Sequence, residues 1–149
     1  MKLNPAQEYL IRGYHCSESV LLAACQKLGV DDTLIPKIGT AFGGGMARTG
    51  EVCGAVVGAI MIISMQKGRS LPTESDTEAY ALTRQLLKRF REEMGSIYCR
   101  EMTDIDLNTE SGLEQFRSSD VPVRVCVPAA GLAYQLAIDL LSESDTKAS

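Results

Sequence analysis

Four of the chain's five cysteines lie where helices are predicted to begin. These four are separated by 37, 46 and 27 residues and form the predicted catalytic set: Cys16, Cys53, Cys99 and Cys126. The first turn of a helix presents unpaired N–H groups and a partial positive charge, and both stabilise the anionic form of cysteine, the thiolate. Because thiolates attack disulfides and bind metal ions, the pattern predicts either thiol–disulfide redox chemistry or a metal site.

For redox chemistry, Cys53 is the predicted attacking residue. Thr49 offers a cap for its helix, the glycines of FGGGMARTG let other groups approach closely, and Arg48 is near enough in sequence to support a thiolate. After Cys53 has formed a mixed disulfide with a substrate, Cys99 or Cys126 would resolve it. The glycine run itself fits neither a Walker loop nor the G-x-G-x-x-G motif of dinucleotide-binding proteins.

The alternative is a binding site for zinc or an iron–sulfur cluster, and its predicted ligands are the same four residues: Cys16, Cys53, Cys99 and Cys126. Their spacing contains no C-x-x-C pair, so the tertiary fold would have to assemble such a site. A thioredoxin-like motif is excluded for the same reason and because no βαβ pattern is present. The sequence requires neither cofactor and leaves the pairing of the cysteines open.

The elements that must position these residues are predicted to be helices. Helical periodicity dominates the chain and predicts an all-α bundle whose main helices cover residues 18–28, 50–67, 73–94 and 128–141. The helix from 50 to 67 contains 14 residues without a charge, fewer than the roughly 18 that a membrane span needs, so we expect it at the centre of the bundle. Gly54 and Gly58 share one face of this helix and would let a neighbouring backbone approach closely.

Length and composition are typical of one globular domain. The chain has 149 residues, of which 45% are hydrophobic and 23% are charged, and we predict a domain over 1–142 followed by a polar tail over 143–149. The net charge of −4 and the lack of a basic cluster exclude nucleic acid as a partner. The N-terminal segment lacks the pattern of a secretory signal, so we expect a cytoplasmic protein that does not insert into membranes. Reducing conditions there favour free or metal-bound cysteines over structural disulfides.

Four sequence blocks resemble the C_GCAxxG_C_C family, which is described as redox-active: GYHCSESVL, FGGGMARTGEVCGAVVGA, YCREM and VCVPAAGLAYQLA. Within the second block, CGAVVG matches the family's Cys-Gly-Ala-x-x-Gly motif from Cys53 to Gly58. The resemblance extends from Gly13 to about Leu141 and implies that the family's characteristic cysteines are Cys16, Cys53, Cys99 and Cys126. Cys25 has no counterpart in this pattern and falls mid-helix, so we expect it to fill the core. The resemblance also implies a bacterial or archaeal intracellular protein, often encoded near transporter genes.

Three functional hypotheses follow from these observations. The first is a protein for thiol–disulfide or electron-transfer chemistry with a redox partner that the sequence does not identify. The second is a protein that binds a metal ion or an iron–sulfur cluster through its cysteines. The third is a non-catalytic adaptor linked to a membrane transporter, whose cysteines are simply buried. A homo-oligomer is compatible with all three.

Overall fold

The structure, a computed structural model, describes residues 2–148 and is built from helices. The α-helices are α1 (Pro5–Ile11), α2 (Cys16–Leu28), α3 (Gly43–Met46), α4 (Gly54–Lys67), α5 (Thr77–Met94), α6 (Cys99–Thr103), α7 (Glu110–Ser118) and α8 (Val127–Ala148). A 3₁₀ helix (Lys37–Phe42) precedes α3, and a π-helical turn (Pro122–Cys126) leads directly into α8. Between residues 2 and 148 the only β-pairing is one isolated bridge between Val52 and Tyr98. The all-α prediction is confirmed.

Helix α4 lies at the centre of the bundle, as its apolar sequence predicted. It packs against α2, α5 and α8, and its side chains at Ala55, Val56 and Ile62 are fully buried. The helix begins at Gly54 rather than at the predicted Gly50, because the chain before it forms a separate left-handed turn. Thr49 belongs to that turn, and Cys53 is the N-cap residue of α4.

The two glycines on α4 are the points at which α2 comes closest. A Cβ atom at Gly54 would lie 2.7 Å from the carbonyl oxygen of Phe42 and 3.3 Å from the backbone nitrogen of Ser17. A Cβ atom at Gly58 would lie 2.9 Å from the carbonyl oxygen of Ser17 and 3.2 Å from the Cβ atom of Val20. The absence of side chains at these positions therefore lets the start of α2 lie directly on the start of α4.

The last helix begins earlier than its sequence predicted. Pro128 was expected to start it, but Pro128 lies inside a continuous helix that extends from Pro122. A proline inside a helix has no N–H to donate, and its ring collides with the carbonyl group four residues earlier. The π-helical turn just before Pro128, in which the Val127 N–H donates to the Pro122 carbonyl, is wider than an α-helical turn and accommodates the ring.

The helix from Pro122 to Lys147 is long and apolar enough to cross a membrane, judged by length and composition alone. In the structure, 56% of its apolar window is buried in the protein, against α1, α2, α4 and α5. Because core helices of soluble proteins pass the same test, this feature is weak evidence for a membrane span. The polar residues from 143 continue α8 through Ala148, where Lys67 forms an ion pair of 2.7 Å with Asp145, and Ser149 lies outside the described residues.

The close contact between α2 and α4 predicts a cost for any side chain at Gly54. Gly54→Ala would place its Cβ atom against the Phe42 carbonyl oxygen, so we expect the free energy of unfolding in urea to fall by about 1–3 kcal/mol. Ser64→Ala, at an exposed position of the same helix, is the control and should change it by less than about 0.5 kcal/mol. An unchanged or increased stability of Gly54→Ala would contradict the packing argument, since alanine favours helices over glycine.

Candidate functional site

The four predicted site cysteines line a single cavity of about 760 Å³: Cys16, Cys53, Cys99 and Cys126. Cys53 and Cys99 are buried, with 5% and 8% of their surfaces exposed, whereas Cys16 and Cys126 are half-buried. The structure therefore brings together residues that are far apart in sequence. Cys25 does not line this cavity and lies in the core, where the sequence placed it. All five cysteines are free thiols in the structure.

Cys16 and Cys53 meet because α2 and α4 begin side by side. Cys16 is the first residue of α2, and the capping box of this helix is closed by Glu18, whose carboxylate accepts the His15 N–H at 2.8 Å. Cys53 is the N-cap residue of α4. The contact between Gly54 and the Ser17 backbone lies next to both cysteines in sequence, so it fixes the two helix starts relative to each other.

Cys99 is held beside Cys53 by the isolated β-bridge. The Cys53 N–H donates to the Ile97 carbonyl at 2.8 Å, and the Cys99 N–H donates to the Glu51 carbonyl at 2.9 Å. Because side chains alternate along extended backbone, Cys53 and Cys99 lie on the same face of this bridge. A Cβ atom at Gly45 would lie 2.8 Å from the Cβ atom of Cys99, so the triple-glycine segment closes over this cysteine.

Cys126 does not lie at a helix start, and that prediction is wrong. It is the last residue of the π-helical turn and is followed without interruption by α8. The mistake follows from Pro128, which marks a helix start in most sequences but here lies inside the helix. Cys126 nevertheless reaches the cavity, where its side chain lies near enough to Cys16 to raise the pKa of that thiol.

The predicted stabilisation of thiolates is outweighed by burial. Burial raises the pKa of Cys53 to about 12, the neighbouring Cys16 adds to this, and the N–H groups of Ala55 and Val56 lower it by less. Arg48 is not among the groups that shift the pKa of Cys53, although it lines the cavity. The start of α4 therefore lowers the pKa of Cys53 as predicted, but the loss of water around the sulfur raises this pKa by more.

The other two shifted thiols of the site are also held in the neutral form. Burial raises the pKa of Cys99 to about 12, with contributions from Cys53 and Cys16 and an opposing hydrogen bond from Thr103. The side chain of Cys126, followed by burial, raises the pKa of Cys16 well above its ordinary value. At neutral pH Cys16, Cys53 and Cys99 are thus protonated thiols and not thiolates.

A left-handed turn forms one wall of the cavity. Five consecutive residues from Gly44 to Arg48 have positive φ angles, including 65° for Met46, 54° for Ala47 and 67° for Arg48. Residues other than glycine rarely adopt this region, and each such residue costs of the order of 1–3 kcal/mol. The sequence indicated a tight loop here. Only its glycines pointed to a backbone with positive φ angles.

The described residues do not fit a metal site. Between residues 2 and 148, no three histidine, cysteine, aspartate or glutamate side chains are arranged so that they could hold a metal ion. Zinc and iron–sulfur clusters require three or four protein ligands around one centre. The ligand set predicted from the four cysteines is therefore not assembled in this arrangement, although all four line the same cavity.

The fold and the site define an all-α protein whose four cysteines share one internal cavity. The chain belongs to the C_GCAxxG_C_C family: the family model described as "Putative redox-active protein (C_GCAxxG_C_C)" matches residues 14–140. This match confirms the resemblance drawn from the four sequence blocks. No curated protein and no solved structure matches the chain. The catalytic role of each cysteine stays a prediction.

The raised pKa values predict an unusual pH dependence for alkylation of Cys53 and Cys99. A pKa of about 12 makes the thiolate fraction of both at neutral pH on the order of 10³-fold smaller than that of an ordinary cysteine. Because only the thiolate reacts, rates with iodoacetamide should keep rising from about pH 8 to 11, measured site by site by mass spectrometry. A rate that levels off at about pH 10, as expected for an ordinary cysteine with a pKa of 9.0, would contradict the burial argument.

Proposed function

We propose that the protein is a thiol–disulfide redox protein in which Cys16 and Cys126 interconvert between two thiols and one disulfide. The observations that carry this proposal are that both thiols line the same cavity and that the side chain of Cys126 is the largest cause of the raised pKa of Cys16, as expected for neighbouring sulfur atoms. Both residues are also half-buried, so a reagent in the cavity has more access to them than to Cys53 or Cys99. The family description supports redox chemistry in general terms.

We assign the two roles from the surroundings of Cys16. The side chain of Cys126, followed by burial, raises the pKa of Cys16 well above its ordinary value, so Cys16 is poorly suited to the first attack and acts as the resolving thiol. In this proposal the attacking atom is the sulfur of Cys126. This assignment differs from the prediction that Cys53 attacks, because a thiol with a pKa of about 12 supplies very little thiolate at neutral pH.

The reaction then follows the usual course of thiol–disulfide exchange. The Cys126 thiolate attacks one sulfur of a substrate disulfide, a mixed disulfide forms, and the first substrate thiol leaves with a proton from solvent. Cys16 loses its proton and attacks the Cys126 sulfur, which breaks the mixed disulfide and releases the second substrate thiol. Two electrons pass from the protein to the substrate, and a reducing thiol reverses the sequence.

In this proposal, Cys53 and Cys99 form an inner pair that exchanges with the outer disulfide. They lie on one face of the β-bridge, and Cys16 is close enough to Cys53 to help raise its pKa. Their high pKa values keep them reduced until a neighbouring sulfur has been oxidised. The hypotheses of a metal centre and of a transporter adaptor have no comparable observation in their favour. A cytoplasmic location, which we also propose, would keep all four thiols reduced at rest.

The proposal predicts different products for three single substitutions. With hydroxyethyl disulfide, a small neutral oxidant, we expect wild type and Cys25→Ser to form a disulfide between Cys16 and Cys126, because Cys25 lies outside the cavity. Cys16→Ser should stop at a stable mixed disulfide on Cys126, since its resolving thiol is missing. Cys126→Ser should react at least about 100-fold more slowly, because its attacking thiol is missing. Peptide mapping by mass spectrometry identifies each product.

The same experiment can refute the assignment. If Cys126→Ser were oxidised as fast as wild type, with a disulfide between Cys53 and Cys99, the inner pair would be the primary site. A loss of reactivity in Cys25→Ser equal to that in Cys126→Ser would show that the substitutions act through folding. Far-UV circular dichroism of each variant provides an independent measure of folding.

A further inference from the structure

The cavity around the cysteines carries no negative side chain. The chain has 19 acidic residues and a net charge of −4, yet among the described residues no aspartate or glutamate lines the cavity. Two arginines do line it, Arg48 on the left-handed turn and Arg117 at the end of α7, together with His15. Both arginines are exposed to solvent and therefore lie at the open side of the cavity, where charges of one sign attract ligands of the opposite sign.

Neither of these arginines is neutralised by a neighbouring carboxylate. Within residues 2–148, Arg48 and Arg117 form no ion pair, whereas Arg89 pairs with Glu143 and Arg100 with Asp106, each at 3.5 Å. The position of Arg48 is also costly, because its φ angle of 67° is rare for a residue with a side chain. An unpaired guanidinium held on a strained backbone at the cavity wall indicates a role in binding an anion.

The remainder of the lining is mainly apolar and suited to a small organic molecule. Side chains from α6, the following loop, α7 and the π-helical turn face the cavity, among them Met102, Leu107, Phe116 and Val125. The volume of about 760 Å³ lies within the roughly 300–1,000 Å³ of typical small-molecule sites. Cys53 and Cys99 at 5% and 8% exposure are too enclosed for contact with a folded protein partner.

From these three observations we propose that the substrate is a small organic disulfide with an apolar body and at least one anionic group. Its apolar part would occupy the apolar lining, and its anionic group would pair with Arg48 or Arg117 on the wall of the cavity that Cys126 also lines. This inference rests on the proposed function, because it assigns a substrate class to the same cysteine pair. The redox step is the exchange described above, with the organic disulfide as the oxidant and two organic thiols as its products.

Two aromatic disulfides of similar size test the role of charge. Dithiobis(nitrobenzoate) carries two carboxylates, and dithiodipyridine is neutral at pH 7.5; the rate of each with the protein is divided by its rate with mercaptoethanol. We expect wild type to react faster with the anionic disulfide than with the neutral one. Arg48→Gln/Arg117→Gln should lower the rate with the anionic disulfide by about 10-fold and change the rate with the neutral disulfide less than twofold. Arg84→Gln/Arg91→Gln, which removes the same charge from exposed positions of α5 outside the cavity, should leave both rates unchanged.

A lysine pair provides the second comparison. Arg48→Lys/Arg117→Lys keeps both charges, so it should restore most of the rate with the anionic disulfide. If the glutamine double variant does not fold, the single variant Arg117→Gln is used in its place. Oxidation of Cys16 and Cys126 by both probes with no preference for the anionic one would overturn this inference and leave the proposed function standing. Failure of both probes to oxidise the pair would overturn the proposed function itself. An equal slowing of both probes by the glutamine and control variants would also contradict the inference.

Discussion

The structure depends on one backbone contact, the approach of α2 to α4 at Ser17. The Ser17 backbone nitrogen faces Gly54, its carbonyl oxygen faces Gly58, and its hydroxyl donates a hydrogen bond to the carbonyl of Gly39 in the 3₁₀ helix. Ser17 is fully buried, so all of its polar groups must find partners inside the protein. Three elements are therefore fixed around one residue, and the neighbours of this contact in sequence are Cys16 and Cys53. A larger residue at either glycine would separate the two helix starts and, with them, the two sulfurs.

Burial and helix geometry compete for control of the cysteines, and burial prevails. A pKa of about 12 for Cys53, against an ordinary value of 9.0, corresponds to roughly 4 kcal/mol in favour of the neutral thiol. A helix start contributes at most about 2 kcal/mol in favour of the charged form. The small residues that bring the helices together also exclude water from the sulfur, so close packing and a low pKa conflict at this site.

The features that the sequence predicted correctly are those that depend on local interactions. Asn4 caps α1, as asparagine before proline indicates, and Gly29 and Gly95 end α2 and α5 in the left-handed conformation that glycine adopts readily. The periodic apolar stripe of α5 and the central position of α4 also follow from sequence, because burial of one face determines them. The fold class could therefore be predicted with little ambiguity.

The features that the sequence did not predict depend on contacts between distant segments. Pro128 has a local preference for a helix start, but the helix before it is stabilised by packing against the rest of the bundle, and the π-helical turn absorbs the misfit. The thiol pKa values could not be predicted from helix starts because burial of a sulfur depends on the whole cavity. The family motif identified the four cysteines, but not that Cys126 is the one that most affects the pKa of Cys16.

The proposed pairing of Cys16 with Cys126 is compatible with a redox cycle during which the protein stays folded. Cys16 begins α2 and Cys126 leads into α8, and these two helices already pack against each other and against α4. A disulfide between them would close a loop of more than 100 residues that noncovalent contacts have already closed. Its formation and reduction would thus change the covalent state of the cavity while the bundle itself stays assembled. A redox cysteine pair requires a fold whose stability does not depend on the disulfide, because otherwise the site would be lost whenever the pair was reduced.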